Sequence, residues 1–278
     1  KHPMTKPRTL LRKLLRIPNR NELIFQRINP RGHGLEIGPS HQPIAPKSAG
    51  YDVKILDYTD REGLIRKYTE LGVDPSRIED VDFVWRGESY TELVGGEGIF
   101  DWVIASHCME HVPDMVGFLA DCRKILKPGG VLVLALPDHR YIFDALRMPS
   151  SLAAVIDSHL RRDRNPTPGT VAEFNLLFSN RGGKEIWSRW SLDRFRRPTL
   201  VRSPDDARRA MARRIESEEY VDVHVWCFTP DSFHAILGGL RDLGILDGWQ
   251  WSAPLARGYE FLSFLTAIDP ASPAPAAR

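Results

Sequence analysis

Short runs of apolar residues alternate with amphipathic segments in the first half of the chain. The runs have the length and composition of buried strands, and they lie near 34–37, 52–56, 81–84, 101–105 and 131–136. The pattern predicts a helix over about 114–126, which ends at Lys127-Pro128-Gly129-Gly130. Strands that alternate with helices indicate βαβ units, so we predict an α/β fold built on a parallel sheet.

The pattern changes between about residues 141 and 220, where prolines and glycines divide the chain into short helical pieces. From 147 to 219 this block carries fifteen Lys or Arg and ten acidic residues. We interpret it as an insertion that covers the site. Alternation returns at 220–229, which predicts a strand, and a helix over 230–243 and a last strand near 259–267 follow.

The two ends of the chain differ from the rest in composition. Residues 1–31 contain nine Lys or Arg and one acid, Glu22, with leucines near helical spacing. This pattern predicts a basic helical extension that packs its leucines on the domain, and contact with an anionic surface is the alternative. Residues 32–268 would form one domain, and 269–278 have the composition of a disordered tail.

Composition narrows the class of protein. A chain of 278 residues with 42% hydrophobic content is long enough for a full α/β core. The net charge of +2 does not argue for nucleic acid, and no apolar run approaches the roughly 18 residues of a membrane span. Three cysteines at wide spacing fit reduced thiols. We therefore expect a soluble, cytoplasmic protein, with a homodimer left open.

A glycine turn after the first strand suggests a cofactor site. Glu36-Ile37-Gly38 provides a small residue where the backbone must approach a ligand, and Asp57 ends the second strand, where an acid can accept ribose hydroxyls. NAD binding by a dehydrogenase would also fit these two features. A role for Asp57 as an ordinary turn residue also stays open.

Titratable residues follow the fourth strand. His107, Glu110 and His111 are spaced i, i+3 and i+4, so they share one face if a helix begins there. Imidazole and carboxylate groups can together hold a divalent ion, and the H-x-x-E-H spacing also occurs in some metallopeptidases. Simple hydrogen bonding within the fold is the remaining alternative.

The E-x-G turn, the segment FDWVIASHCMEHV and LKPGG together resemble the class I S-adenosylmethionine-dependent methyltransferases. The resemblance covers about 32–140 and 220–267, and it implies a Rossmann-like, mainly parallel seven-stranded sheet with an antiparallel last strand. One departure is that Pro39-Ser40 replaces the second glycine of the first motif. The resemblance implies S-adenosylmethionine as cofactor, held by residues at the ends of the first four strands: Glu36, Ile37, Gly38, Asp57, Tyr58, Glu88, Ser106 and His107.

The Glu-His pair after strand four resembles a magnesium or zinc site of the small-RNA and ubiquinone-pathway O-methyltransferases. This resemblance implies a metal ion on His107, Glu110 and His111, with Mg²⁺ as the candidate. A metal would lower the pKa of an acceptor hydroxyl. Glu110 and three histidines are candidates for the catalytic groups: His111, His139 after strand five, and His224 on the predicted strand 220–229, where alternation places it beside Asp222 and Trp226.

The segments PDHRYIFDALR and HVWCFTPDSF resemble a branch of bacterial methyltransferases associated with polysaccharide synthesis. This implies methyl transfer to a sugar, the 1-hydroxyl of a short, partly methylated mannoside in methylmannose polysaccharide synthesis. Trp187 and Trp190 could stack on its sugar faces. The alternatives are a 3-O-methyltransferase, an RNA or small-molecule O-methyltransferase, and a non-catalytic glycan-binding module.

Overall fold

The computed structural model describes residues 18–185, 187 and 196–268. Its helices are α1 (Arg20–Phe25), α2 (Arg61–Glu70), α3 (Tyr90–Val94), α4 (Met115–Ile125), α5 (Leu152–Arg161), α6 (Pro168–Leu177), α7 (Pro204–Glu216) and α8 (Pro230–Asp242). Its strands are β1 (Gly34–Ile37), β2 (Val53–Asp57), β3 (Phe83–Val84), β4 (Phe100–Ser106), β5 (Leu126–Pro137), β6 (Ser179–Asn180), β7 (Thr199–Leu200), β8 (Trp249–Trp251), β9 (Leu255–Arg257) and β10 (Glu260–Ala267). Three 3₁₀ turns lie at Lys47–Ala49, Met109–His111 and His139–Tyr141.

The central sheet has the strand order β3-β2-β1-β4-β5-β10-β8, and β9 pairs with β10. The pairs from β3 through β5 are parallel, whereas β10 runs antiparallel to both β5 and β8. The predicted fold class, a Rossmann-like and mainly parallel sheet with an antiparallel last strand, is therefore confirmed. In such a sheet the order reverses beside β1, and ligands bind at the carboxyl ends of the strands near that point.

Both faces of the sheet are buried, which explains why its strands read as continuous apolar runs. One face, which includes Val103 and Leu134, packs against α4 and α8. The other face carries Trp102 and Ile104 and packs against Ile24 of α1. Polar caps start the helices, because the Asp114 carboxylate accepts from Gly117 N before α4 and Thr229 forms a capping box with Ser232 before α8.

The prediction of a strand over 220–229 is wrong. This segment is extended but forms no ladder, and its one pairing is an isolated bridge between Asp138 and Phe228. Its amide groups bond elsewhere: Val225 N and Trp226 N both donate to the main-chain oxygen of Glu110. Neighbouring residues such as Val223 and His224, and Trp226 to Phe228, are all buried, so the alternation in the sequence does not correspond to a strand with one exposed face.

One strand boundary differs from the prediction, and two short strands were not predicted. β5 begins at Leu126, directly after α4, so Lys127 to Gly130 lie within the assigned strand instead of a loop. β8 and β9 are too short to give a recognisable alternation, and the sequence did not indicate them. The predicted helices near 114–126 and 230–243 are confirmed within two residues of their ends.

The predicted insertion at 141–220 contains α5, α6 and α7 and the short β6–β7 pair. The leucines at 10–15, Trp190 and the tail 269–278 lie outside the described residues. None of the helices in the described part of the chain has the length and apolar character that crossing a bilayer requires.

Candidate functional site

The glycine turn after β1 is held by the side chain of Glu36. Its two carboxylate oxygens accept from Ile44 N at 2.7 Å and from Ala45 N at 3.1 Å. Burial raises the pKa of Glu36 to about 7, although these two N–H groups oppose the shift. Glu36 therefore shapes the loop that follows Ile37 and Gly38. Gly38 has a φ of +62°, a conformation that glycine adopts without strain.

Asp57 presents an unpaired acceptor at the end of β2. The residue is 3% exposed, and Tyr58 N donates to its Oδ1 at 2.8 Å. The other oxygen, Oδ2, is buried without a hydrogen-bond partner. Burial raises the pKa of Asp57 to about 6. A buried carboxylate oxygen without a partner is costly, and a ribose hydroxyl would satisfy it, so this residue fits the predicted cofactor.

Two other residues that were predicted to bind the cofactor, Tyr58 and Glu88, differ in whether their side chains are free to do so. Tyr58 is about half exposed beside the Lys67 ammonium, 5.0 Å from its ring centre, and is open to a ligand. Glu88 is occupied locally, because its carboxylate accepts from Arg86 N at 2.8 Å. The role of Glu88 in holding the cofactor stays a prediction.

A residue that the sequence analysis passed over, Arg20 of α1, reaches the end of β4. Its guanidinium donates to Ser106 Oγ, and its Nε lies 3.2 Å from Glu260 Oε1. This brings a positive charge beside the cofactor turn. Arg20 stood out in the sequence only as one of many basic residues near the amino terminus, and nothing in the spacing could place it here.

His107 does not lie in the helix that was predicted to begin after β4. It adopts a φ of +51°, and its Nε2 lies 2.9 Å from Glu260 Oε2. Burial disfavours the charged imidazole, but contacts with Glu110 and Glu260 outweigh it and raise the pKa of His107 to about 9. The expectation of one shared helical face is wrong, because only Met109–His111 form a 3₁₀ turn and α4 begins four residues later.

Glu110, His111 and His224 form the cluster that the fold brings together. One ligand atom from each lies within 4.8 Å of the others, and the two imidazole rings are 4.7 Å apart at 90°. Glu110 is fully buried, and neither of its carboxylate oxygens accepts a hydrogen bond. The geometry therefore supplies two nitrogen donors and one carboxylate, and His224 takes the ligand position that was predicted for His107.

The main chain of Glu110 explains how the cluster assembles. Its carbonyl oxygen accepts from Val225 N at 2.7 Å and from Trp226 N at 3.1 Å. These bonds hold the segment with His224 against the turn after β4. In the sequence, 113 residues lie between Glu110 and His224. No local sequence signal could have joined them.

Charges around the cluster favour an ionised carboxylate. Burial would raise the pKa of Glu110, but His107, His111 and His224 hold it below its usual value. His111 Nδ1 lies 2.9 Å from Asp222 Oδ1. Burial lowers the pKa of His111, but the carboxylates of Asp222 and Glu110 raise it by more, so the pKa lies above its usual value.

A buried carboxylate orients His224. Asp144 Oδ2 lies 2.5 Å from His224 Nδ1, and both side chains are at most 5% exposed. Arg147 lies 3.1 Å from the other oxygen of Asp144, pairs with Glu173 at 3.0 Å and donates to His224 O at 2.8 Å. With Nδ1–H directed to Asp144, the Nε2 lone pair of His224 is left for a ligand or a proton.

His139 lies outside the three-residue cluster. It is buried in the 3₁₀ turn after β5, its N–H donates to Phe228 O at 3.0 Å, and its Nδ1 is 3.4 Å from Asp144 O. Burial lowers the pKa of His139, so it is neutral at physiological pH. Trp187 is 40% exposed and lies with its ring centre 5.8 Å from that of His107.

Comparison with known proteins decides the family. A family model described as a methyltransferase domain matches residues 7–238. The chain belongs to this methyltransferase family. The match spans β1 to β5, the whole insertion and the segment that carries His224, so the turn after β1 and the Glu110–His111–His224 cluster both lie within it.

A curated relative matches over a short stretch. The ubiquinone biosynthesis O-methyltransferase of Caulobacter vibrioides is 38% identical over 58 residues, which is 20% of this chain and 23% of the relative. The match therefore spans about a quarter of the length of that enzyme.

Solved structures resemble the chain remotely. The PH0226 protein of Pyrococcus horikoshii OT3 is 16% identical with a TM-score of 0.44, covering 95% of this chain and 92% of that one. A SAM-dependent methyltransferase of Aquifex aeolicus is 12% identical with a TM-score of 0.38, covering 95% of this chain and all of that one. Likeness this remote says nothing about what this chain binds.

We expect the affinity for S-adenosylmethionine to fall as the pH decreases from about 7.5 to 5. Ribose hydroxyls donate to an ionised carboxylate, and Asp57, whose pKa is raised to about 6, becomes protonated in this range. Asp57→Asn should bind about tenfold more weakly at pH 7.5, with little pH dependence. Calorimetric titration measures both. Because Glu36 is present in both proteins, a pH profile shared by the two would contradict the role of Asp57.

We expect Asp144→Asn to disturb His224 without unfolding the protein. The change replaces a charged acceptor by an amide, whose N–H₂ can donate to Nδ1 instead, so ¹⁵N NMR should show a smaller Nδ1–H fraction for His224. Affinity for a divalent metal probe such as Co²⁺ should fall roughly 10- to 100-fold.

The matched control for this change is Glu173→Gln, which removes the other acidic partner of Arg147 and leaves the Asp144–His224 contact in place. Equal effects in both variants would mean that Asp144 acts only through Arg147.

Proposed function

We propose that the protein is an S-adenosylmethionine-dependent O-methyltransferase that acts on a hydroxyl held at the Glu110–His111–His224 cluster. One observation carries the proposal most: Glu110 is a fully buried carboxylate without a hydrogen-bond partner, beside two imidazoles. The imidazoles compensate its charge, with His107 Nδ1 3.5 Å from Oε1, and a divalent ion or a donated hydroxyl would supply the direct partner that the carboxylate oxygens lack. The cluster follows β4, next to the glycine turn of the expected cofactor site.

The cofactor side of the proposal rests on the strand ends. S-adenosylmethionine supplies an activated methyl group on a sulfonium. Gly38 allows the backbone to approach it, the unpaired Oδ2 of Asp57 accepts a ribose hydroxyl, and Arg20 offers a positive charge to a carboxylate. Ser106 and His107 border the same turn at the end of β4. Positioning provides much of the rate when the methyl group is already activated.

The hydroxyl of the methyl acceptor would be bound at the Glu110–His111–His224 cluster. Two imidazole nitrogens and one carboxylate suit a transition metal such as Mn²⁺ or Zn²⁺ better than Mg²⁺, which prefers oxygen ligands. A divalent ion there would lower the pKa of a bound hydroxyl. With an ion held by His111 and His224, His139 would be the candidate base for the hydroxyl proton, and without an ion His111 and His224 would themselves be candidates.

A sugar acceptor is supported by the resemblance of the segments near 137–147 and 224–233 to the polysaccharide-associated branch, and by aromatic rings at the site. The Trp187 ring centre lies 5.6 Å from that of Tyr259 and 5.3 Å from that of Phe143. A partly exposed tryptophan offers a face to the apolar side of a sugar ring. We retain the 1-hydroxyl of a short mannoside as the proposed target, with the 3-hydroxyl as the alternative within the same class.

A phenolic acceptor is the second candidate. It is favoured by the 58-residue match to a ubiquinone biosynthesis O-methyltransferase. Both candidates require the same cofactor and the same cluster, so the acceptor assay separates them.

We expect methyl transfer from labelled S-adenosylmethionine to a mannoside in a panel that also contains glucosides, phenols and RNA. Chelation should abolish transfer, and Mn²⁺, Co²⁺ or Zn²⁺ should restore it better than Mg²⁺, because two of the three donors are imidazoles. Radiometric counting of the separated products measures the rate.

Transfer to a phenol alone would replace the sugar by the second candidate. Transfer that is indifferent to chelation would contradict the metal and leave the histidines as bases. Absence of transfer to any hydroxyl, with cofactor bound, would contradict the proposed function itself.

A further inference from the structure

Helices α6 and α7 of the insertion border a cleft that the methyltransferase chemistry does not use. Its volume is about 380 Å³. Three arginines line it together with one acid and two small or neutral residues: Asn175, Arg202, Asp206, Arg209, Ala210 and Arg213. The cleft therefore concentrates positive charge in a chain whose overall charge is nearly balanced.

The single carboxylate in the cleft is already engaged. Asp206 accepts from Ser203 N at 2.9 Å and from Ser203 Oγ at 2.7 Å as part of the cap of α7, and it pairs with Arg209 at 2.5 Å. In the described part of the chain, neither Arg202 nor Arg213 forms an ion pair with an acid. Arg209 and Arg213 are four residues apart on one helix, where like charges repel each other.

Arg202 is placed rigidly in this cleft. Its guanidinium carbon lies 4.3 Å from the ring centre of Phe178 and 5.2 Å from that of Phe174, and it donates to Asn175 Oδ1. Burial lowers the pKa of Arg202, although the carboxylates of Glu185 and Asp206 oppose the shift. A stacked guanidinium keeps its donors in one plane, ready for an oxyanion.

We propose that this cleft binds a phosphate group, either free or carried by a small sugar ligand. Guanidinium groups hold phosphate oxygens through paired, charge-assisted hydrogen bonds, and an anion would relieve the repulsion among the three arginines. The volume leaves room for a ring beside the phosphate. This assignment goes beyond the proposed function and does not depend on methyl transfer.

The cleft backs onto the candidate active site through aromatic rings. The ring of Phe178 stacks on that of Phe143 at 4.7 Å, and the ring of Phe143 lies 4.8 Å from that of His224. Phe178 thus contacts Arg202 on the side of the cleft and Phe143 on the side of the cluster. The rings of Phe178 and Phe143 would therefore lie between His224 and the Arg202 guanidinium that holds the phosphate.

The test is calorimetric titration of the full chain at low ionic strength with inorganic phosphate, a hexose phosphate and the same hexose without phosphate. We expect binding of the phosphorylated probes and none of the plain hexose. Arg213→Ala should weaken phosphate binding at least tenfold, and Arg213→Lys should fall between it and the unchanged protein because lysine keeps the charge without the fork.

Arg208→Ala is the matched control. Arg208 lies on the same helix, pairs with Asp205 and is not part of the lining. Equal binding of the two phosphorylated probes would identify a site for the phosphate group itself, and tighter binding of the hexose phosphate would identify a phosphorylated sugar as the ligand. Both outcomes support the assignment.

Three outcomes would overturn the assignment. These are no phosphate binding, an equal loss of binding in the Arg208 and Arg213 variants, and binding of a short single-stranded RNA in preference to both phosphorylated probes. Thermal melts of the variants establish that each one is folded, so a loss of binding can be assigned to the side chain.

Discussion

The candidate site depends on one pair of hydrogen bonds, those that the main-chain oxygen of Glu110 accepts from Val225 N and Trp226 N. They replace the ladder that an extended segment would otherwise make, and they bring His224 to a turn at the end of β4. Arg147 and His139 N also bond to this segment, at His224 O and Phe228 O, but the two bonds to Glu110 O connect it directly to the turn that carries Glu110 and His111. Main-chain hydrogen bonds therefore help to bring the three residues together, and their side chains supply the ligand atoms.

Burial then determines what the cluster can do. The Glu110 carboxylate is held ionised by His107, whose Nδ1 lies 3.5 Å from Oε1, together with His111 and His224. His224 is oriented by Asp144, and His111 lies beside Asp222, which also pairs with Lys67 at 3.1 Å. Lys67 in turn lies beside Tyr58, next to Asp57. A continuous series of charged contacts thus joins the acceptor cluster to the expected ribose site, and both lie at the edge where parallel strands end.

The sequence predicted the parts of the structure that depend on local pattern. Buried parallel strands read as apolar runs, and the capped helices α4 and α8 carried start signals, so the fold class and most elements followed from them. Glu110 and His111 could be named because they are adjacent. His224 was named but placed on a strand, and Asp144 and Arg20 were missed, because their positions depend on contacts between distant segments that no periodicity records.

The most direct test of the account compares turnover and cofactor affinity in Glu110→Gln, a change that keeps the size of the side chain and removes its charge. We expect methyl transfer to fall at least ~100-fold while the dissociation constant for S-adenosylmethionine stays unchanged, because Glu110 acts on the acceptor side. Loss of cofactor binding to the same degree would contradict it and would assign Glu110 to the cofactor pocket or to the fold.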